Sequence, residues 1–157
     1  MAVIGYMLTW TTYGSWLQGD RRGWVKGGEV FEGNSYLEKV NRENISGSKV
    51  LFDNRQREIA GQAILFKAKK VGQRVYGLAV CNNHVHAVLE NTDRLIGDVV
   101  SGYKKAATKE LRKSGFEGKV WTKGFDKRYC ESESEILRKV EYIRGHKGMD
   151  VYIEIFE

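Results

Sequence analysis

Cys81-Asn82-Asn83-His84-Val85-His86-Ala87-Val88 is the stretch from which the fold of this 157-residue chain can be worked out. It follows the apolar run 75–80, and two β-prone runs joined by Asn-Asn predict a hairpin, because asparagine tolerates the positive φ that tight turns need. Side chains alternate along a strand, so His84 and His86 share one face. Two imidazoles two residues apart on a rigid strand are a ready pair of metal ligands.

The third and last histidine of the chain lies in a stretch that is predicted to be helical. His146 follows Tyr142 by four residues, so the two side chains are one turn apart on one helix face. If this helix crosses the open face of the sheet, His146 can join His84 and His86 around one divalent cation. Tyr142 then lies one turn away as a nucleophile that can attack a phosphodiester polarised by the metal.

The remaining elements follow from periodicity and capping signals along the chain. They are a strand at 3–13, a helix from Asp53 or Asn54 to about Lys70, the histidine hairpin, a helix from Asp93, an extended segment at 119–129, a helix from Glu135 to about Lys147 capped by Ser132 or Ser134 and ended by Gly148, and an edge strand at 151–156. This βαββαβ order predicts a ferredoxin-like α+β fold. Two helices should cover one face of an antiparallel sheet, and the C-terminal tyrosine helix should lie over the other.

Helical spacing also predicts which residues are buried. It places Ile59, Ala63 and Phe66 on the apolar stripe of the first helix, next to Ala60 and Ile64, and Tyr103 on that of the second. Tyr103 is therefore expected in the core, and Tyr142 remains the preferred nucleophile. In the last helix the expected buried residues are Ile136, Val140 and Ile143.

Composition indicates a single globular domain over residues 1–157, with a loop-rich insertion at about 14–54. Hydrophobic residues make up 41% of the chain and charged residues 29%, and no apolar stretch is long enough to span a membrane. The N-terminal residues lack the basic leader and cleavage site of a signal peptide. Cys81 and Cys130 form no CxxC pair, so we expect two free thiols in a reducing cytoplasm.

The net charge of +6 is concentrated in one segment. Residues 101–128 hold nine basic and three acidic side chains, which matches the net charge of the whole chain and suits a polyanion such as nucleic acid. A solvated basic helix face is the alternative. In the insertion, Arg21 and Arg22 could contact a nucleic-acid backbone beside Trp24, unless the insertion is only a surface loop with one buried tryptophan. The candidate DNA-binding residues of the basic segment are Lys104, Lys105, Lys109, Arg112, Lys123, Lys127 and Arg128.

Two other histidine chemistries fit the sequence less well. The histidine-triad hydrolase pattern needs a third alternating histidine, and Val88 occupies that position. A zinc site of three histidines is conceivable, but the chain has no HExxH motif to supply a water-activating glutamate.

Four segments together resemble parts of the single-tyrosine HUH transposases. Asn83-His84-Val85-His86 resembles their HUH motif, in which a bulky apolar residue separates two histidines. Trp121-x-x-Gly124-Phe125 and the later Tyr142-Ile143-x-x-His146 resemble their Trp-x-x-Gly-aromatic segment and catalytic tyrosine helix. The end of the first strand, Thr11-Thr12-Tyr13-Gly14, is similar to their N-terminus.

This resemblance implies an enzyme that cuts and rejoins single-stranded DNA through a 5′-phosphotyrosine intermediate, with Mg²⁺ or Mn²⁺ and commonly with a DNA hairpin beside the cleavage site. It implies that Tyr142 is the nucleophile and that His84, His86 and His146 bind the metal. Many members have Gln or Asn at the place of His146, so a softer metal ion is expected here. The Asn-Pro common after the tyrosine and isoleucine is missing, and the chain has no proline.

The resemblance further implies a cytoplasmic protein of a bacterial or archaeal cell, associated with the nucleoid when bound to DNA. Family members occur as monomers and as homodimers, some with the tyrosine helix acting in trans, and the sequence does not decide between them. Two alternatives remain open: a noncatalytic, domesticated nucleic-acid-binding module of the same fold, and a small metal-dependent phosphodiesterase.

Overall fold

The computed structural model describes residues 2–14, 24–26, 29–31, 49–146 and 151–156, with 24–26 and 29–31 described as backbone alone. Its helices and strands are, in chain order, β1 (Gly5–Thr11), β2 (Trp24–Lys26), β3 (Glu29–Phe31), α1 (Asn54–Val71), β4 (Val75–Cys81), β5 (His84–Glu90), α2 (Ile96–Lys113), β6 (Asp126–Cys130), α3 (Glu133–Arg144) and β7 (Val151–Ile155). No helix within these ranges is both long and apolar enough to cross a membrane.

Five strands form one antiparallel sheet in the order β6-β1-β5-β4-β7. The order β1-α1-β4-β5-α2-β6 is the ferredoxin-like βαββαβ arrangement, and it confirms the predicted fold class. β7 pairs with β4 at the edge of the sheet, as the tail at 151–156 predicted. β2 and β3 pair antiparallel in a separate two-stranded sheet inside the insertion at 14–54, where no strands were predicted. That residues 1–157 are a single domain stays a prediction.

The two faces of the five-stranded sheet carry different elements. α1 and α2 pack on one face, here called the α1/α2 face, over a core that includes Tyr6, Leu8 and Trp10 of β1. α3 packs on the other, here called the α3 face, where Met7 of β1 is in a second core. The apolar residues that join α3 to the sheet are Ala79, Val88, Ile136, Val140 and Ile143, so the predicted stripe of α3 is confirmed.

α1 begins where its capping signal predicted. The Asp53 carboxylate accepts a hydrogen bond from the Gln56 backbone N–H at 2.8 Å, and the Gln56 side chain accepts one from the Asp53 N–H at 2.9 Å.

The predicted apolar stripe of α1 is partly wrong, because the Phe66 side chain is 72% exposed. Ala63 of the stripe is buried as predicted, and so are its predicted neighbours Ala60 and Ile64, together with Ala68 one turn further on.

α2 begins at Ile96, three residues later than Asp93 predicted. Tyr103 is buried as expected, and its hydroxyl donates a hydrogen bond to the Gln73 side-chain carbonyl. The Gln73 amide in turn donates to the Tyr6 hydroxyl at 2.9 Å. This buried network satisfies the polar ends of both tyrosines, so Tyr103 serves packing.

α3 is capped by the Ser132 hydroxyl, which accepts a hydrogen bond from the Glu135 N–H at 3.3 Å. The helix ends at Arg144 and is followed by Gly145, which is earlier than the predicted end near Lys147. The predicted terminator Gly148 lies outside the described residues.

Candidate functional site

Both histidines of the central motif lie on β5, the middle strand of the sheet. His84 is in register with Thr11, and His86 is in register with Thr9. Alternation places both imidazoles on the α3 face, where the Thr9 hydroxyl and His86 Nδ1 share a hydrogen bond of 2.8 Å. Because β5 is paired on both sides, the backbone that carries the two imidazoles is held in place.

The hairpin that presents His84 is real, but the predicted reason for its turn is wrong. No described non-glycine residue has a positive φ, and this includes Asn82 and Asn83. The turn is anchored by neighbouring backbone: the Asn82 carbonyl accepts from the Phe52 N–H at 2.7 Å, and the Asn83 carbonyl accepts from the Thr12 N–H at 2.9 Å. These two bonds join the turn to β1 and to the segment before α1.

α3 brings Tyr142 and His146 to the same place. The ring centroid of Tyr142 lies 5.3 Å from that of His86 and 5.1 Å from that of His146. The His146 centroid is 5.2 Å from His86 and 6.3 Å from His84, and the two strand histidines are 4.7 Å apart. The four residues singled out from the sequence therefore form one cluster, and Tyr142, which is 52% exposed, remains open to solvent.

Hydrogen bonds fix which imidazole nitrogens carry lone pairs. His84 Nδ1 lies 2.6 Å from the Asn83 side-chain oxygen, and His146 Nδ1 lies 3.0 Å from the Tyr142 backbone carbonyl. Both partners are acceptors, so in a neutral imidazole at either position Nδ1 carries the proton and Nε2 keeps its lone pair. Outer partners of this kind commonly orient histidines that bind metals.

The cluster also keeps two imidazoles uncharged. Burial, with a smaller contribution from the neighbouring His146, lowers the pKa of His84 to about 4. Burial, with smaller contributions from His84 and His146, lowers the pKa of His86 to about 3. Both side chains are therefore neutral near pH 7, which is the form that binds a metal ion.

Cys81 belongs to this cluster as well, although the sequence analysis treated it as a free thiol. Its sulfur and one nitrogen each of His84 and His146 all lie within 4.8 Å of one another. Burial raises the pKa of the Cys81 thiol to about 11, against a smaller opposing effect of Arg57. The predicted hairpin could have revealed this position of Cys81. Val80 pairs with Val85, so Cys81 lies across the turn from His84.

The donors gathered here fit a divalent transition metal. Imidazole nitrogen and thiol sulfur suit ions such as Co²⁺ or Zn²⁺, whereas Mg²⁺ prefers oxygen. His84, His86, His146 and Cys81 are the residues that could hold such an ion. A bound cation would supply charge stabilisation to a phosphodiester placed beside Tyr142.

A basic groove of about 470 Å³ leads to Tyr142 between α3 and β6. Among its lining residues are Arg128, which the sequence analysis selected, and Arg138 and Lys139, which it missed. Arg138 and Lys139 precede Tyr142 by four and three residues, so the helical spacing used for His146 would have found them. Arg128 is paired with Asp126 at 3.1 Å.

Other predicted DNA-binding residues lie away from this groove. Lys105 and Lys109 line a groove of about 970 Å³ between α1 and α2, on the opposite side of the sheet from Tyr142. Lys123 borders a neighbouring groove with both of them. Further basic residues along the larger groove are Arg55, Lys67, Lys70 and Lys113, and the exposed Phe66 lies among them.

Two of the candidates sit over aromatic rings, and two lie outside the described residues. The guanidinium of Arg112 is 6.0 Å from the Phe116 ring centroid, and the ammonium of Lys127 is 5.8 Å from that of Tyr129. Arg21 and Arg22 of the insertion lie outside the described residues.

Lys104 differs from its neighbours because its ammonium is engaged inside the protein. Its Nζ donates to the carbonyls of Thr122 and Gly124, at 3.0 and 2.9 Å, and burial lowers its pKa to about 8. Gly124 has φ of 97°, a conformation that favours glycine, and the Trp121 indole N–H donates to the Lys104 carbonyl. Lys104 therefore holds the Trp-x-x-Gly-aromatic segment in its conformation.

The fold is similar to that of a solved tyrosine transposase. This chain is similar to the structure of a REP-associated tyrosine transposase bound to a REP hairpin, with a TM-score of 0.53 and 13% sequence identity. The match covers 91% of this chain and 66% of that one, so the chain spans slightly less than two thirds of its length. A candidate transposase from Deinococcus radiodurans R1 matches with a TM-score of 0.48 and 16% identity over 92% of both chains. No protein-family model and no curated protein matches the sequence.

Proposed function

We propose that this chain is a transposase that cleaves and rejoins single-stranded DNA, with Tyr142 as its nucleophile. The observation that carries the proposal is the position of Tyr142, whose half-exposed ring lies within 5.3 Å of the His86 and His146 ring centroids. The candidate metal ligands are His84, His86 and His146, as the motif resemblance implies. The shared fold supports the proposal, and the basic groove that reaches Tyr142 offers a path for the DNA.

The chemistry would proceed in two balanced steps. The Tyr142 oxygen attacks phosphorus and loses its proton, the bond to the 3′-oxygen breaks, and that oxygen leaves as a 3′-hydroxyl. The downstream strand is then held through its 5′-phosphate. A 3′-hydroxyl attacks the phosphotyrosine in the reverse sense, which restores the tyrosine and joins the strands without ATP.

Several side chains would assist these steps. Arg128, Arg138 and Lys139 would bind the strand backbone on either side of the reacting phosphate. His86 and His146 flank the tyrosine ring and limit its positions. A divalent cation, when bound, would polarise the phosphodiester and stabilise the charge that develops on its oxygens.

We also propose a DNA hairpin as part of the substrate, because the similar transposase was solved bound to one. The lysine-rich groove between α1 and α2 offers a second surface for a nucleic-acid backbone, away from the tyrosine. Strand and hairpin could then be held on different faces of the sheet.

The test uses labelled single-stranded DNA drawn from sequences that flank the gene, incubated with the protein and Mn²⁺ and resolved on a denaturing gel. A 5′-phosphotyrosine predicts that DNA labelled at its 3′ end shifts into a covalent adduct, while DNA labelled at its 5′ end gives a shorter free product. Addition of a chelator should remove both signals. Cleavage without an adduct would identify water as the nucleophile, and binding without cleavage would identify a noncatalytic module.

A further inference from the structure

The cysteine beside the histidine motif lies close to two histidines that could share a metal ion with it. The Cys81 sulfur and one nitrogen each of His84 and His146 lie within 4.8 Å of one another, whereas His86 is not a member of this group. His86 is instead engaged with the Thr9 hydroxyl through Nδ1 and packs beside the Tyr142 ring. Two different roles are therefore open to the two histidines of the motif.

The backbone around this trio is fixed on both sides. Cys81 ends β4 and His84 begins β5, and the turn between them is tied by its two carbonyls to Phe52 and Thr12. Ligands arranged tetrahedrally around zinc, with bonds of about 2.0–2.3 Å, are separated by about 3.5 Å. Side-chain movements of about 1 Å would therefore bring the trio to bonding distance without moving the strands.

We propose that Cys81, His84 and His146 form a three-ligand site for a thiophilic divalent cation of the Zn²⁺ class, with a further coordination position left open. For such an ion, Cys81 completes the set, and His86 stays beside the tyrosine. Binding of the ion by this trio is independent of the transposase proposal; only its use in strand cleavage rests on that proposal.

The chemical balance is simple. The Cys81 thiol gives up one proton to solvent when its sulfur bonds to the cation, and no electron is transferred. Two imidazoles and one thiolate favour Zn²⁺ or Co²⁺ over Mg²⁺, because a soft sulfur ligand selects softer ions. Three protein ligands with an open position are the usual arrangement of catalytic zinc sites, so a phosphate oxygen or water could complete the coordination.

Co²⁺ is the probe, because a cobalt–thiolate bond gives a charge-transfer absorption band that imidazole ligands alone do not give. We expect the band on titration of the metal-free wild-type protein with Co²⁺, and its loss on addition of Zn²⁺. The band should be absent in Cys81→Ala. It should persist in Cys130→Ala, the matched control, because Cys130 is buried on the same face but lies outside the trio.

Zn²⁺ affinity, measured by competition with a chelating dye, should fall by about a hundredfold in Cys81→Ala. Removal of a residue that only orients a ligand lowers metal affinity by up to about that factor, and removal of a ligand itself should lower it at least as much. The band should also persist in His86→Ala and be lost in His84→Ala. No band in the wild-type protein, or a band that survives Cys81→Ala, would overturn the proposal, and the wild-type result stands even if a variant fails to fold. A wild-type protein that gives the band but forms no DNA adduct would keep this site and refute the transposase proposal, whereas an adduct without the band would do the reverse.

Discussion

Both faces of the sheet have a basic groove, but only the α3 face also has the cluster of histidines, cysteine and tyrosine. The α3 face gathers three histidines, a cysteine and a half-exposed tyrosine beside a basic groove of about 470 Å³. The α1/α2 face has a larger groove, of about 970 Å³, which is lined by lysines and by the exposed Phe66 but lies on the far side of the sheet from the tyrosine. The basic segment of the sequence therefore did not predict where the histidine cluster lies. The spacing of the histidines and the tyrosine did predict that these side chains come together.

The strongest contrast should come from two tyrosines that line the same groove. Tyr142 and Tyr129 are exposed to similar degrees, 52% and 50%, but only Tyr142 packs against the histidines. Tyr142→Phe removes only the hydroxyl, so folding and DNA binding should survive while cleavage, joining and the covalent adduct all disappear. Tyr129→Phe should keep the adduct. Peptide mapping that finds the nucleotide on Tyr129 or Tyr103 would refute the assignment.

Removal of either motif histidine should reduce DNA cleavage nearly as strongly as Tyr142→Phe does. His84→Ala should lower metal-dependent cleavage by at least about a hundredfold, because a bound cation contributes several kcal/mol of charge stabilisation. His86→Ala should lower it similarly through the loss of a side chain that packs against Tyr142. The two imidazoles are neutral near pH 7, so DNA affinity, measured by fluorescence anisotropy, should stay close to that of the wild type. An equal loss of affinity and cleavage would mean that these residues serve binding.

Neutralising each groove separately should show which face binds which part of the DNA. The double variant Arg138→Gln with Lys139→Gln should weaken binding of an unpaired strand, and each lost phosphate contact should reduce the logarithmic salt slope by about 0.7. Lys105→Gln with Lys109→Gln should instead weaken binding of a hairpin, with about 0.9 lost per contact for duplex DNA. Salt titrations of both variants with both substrates provide the measurement. If the Lys105 and Lys109 pair leaves both slopes unchanged, these lysines are only a solvated helix face.

The smallest expected effect is a difference in the free energy of unfolding between variants of two adjacent lysines, Lys104 and Lys105. Lys104→Ala should lower the free energy of unfolding by about 1–3 kcal/mol, because the Thr122 and Gly124 carbonyls lose their donor in a partly buried place. Lys105→Ala, at an exposed position, should change it by less than about 0.5 kcal/mol. Urea denaturation followed by circular dichroism can resolve this difference. Equal values for the two variants would show that Lys104 does not hold the Trp121 segment.

Much of the fold could be predicted because it depends on periodicity. The alternation around His84 and His86 predicted their shared face, and the helical spacing of Tyr142 and His146 predicted that these would lie together. Both are local rules that a single strand or helix obeys wherever it packs. The capping box of Asp53 was equally local.

What escaped prediction depends on contacts between distant segments. Phe66 fits an apolar stripe, but its exposure follows from how α1 is rotated against the sheet. Lys104 is the same residue type as Lys105, and only the path of residues 122–124 makes it structural. Cys81 was treated as a free thiol because the histidines beside it come from across a turn and from the turn after α3, more than 60 residues later.

The histidines and the tyrosine that meet on the α3 face belong to one polypeptide. α3 is seated by Ile136, Val140 and Ile143 on the sheet that carries its own motif, and β7 beyond it pairs with β4 of that same sheet. The four side chains of the cluster thus lie together within a single copy of the chain. We therefore expect a mixture of two variants, one lacking Tyr142 and the other lacking His84, to recover no DNA cleavage.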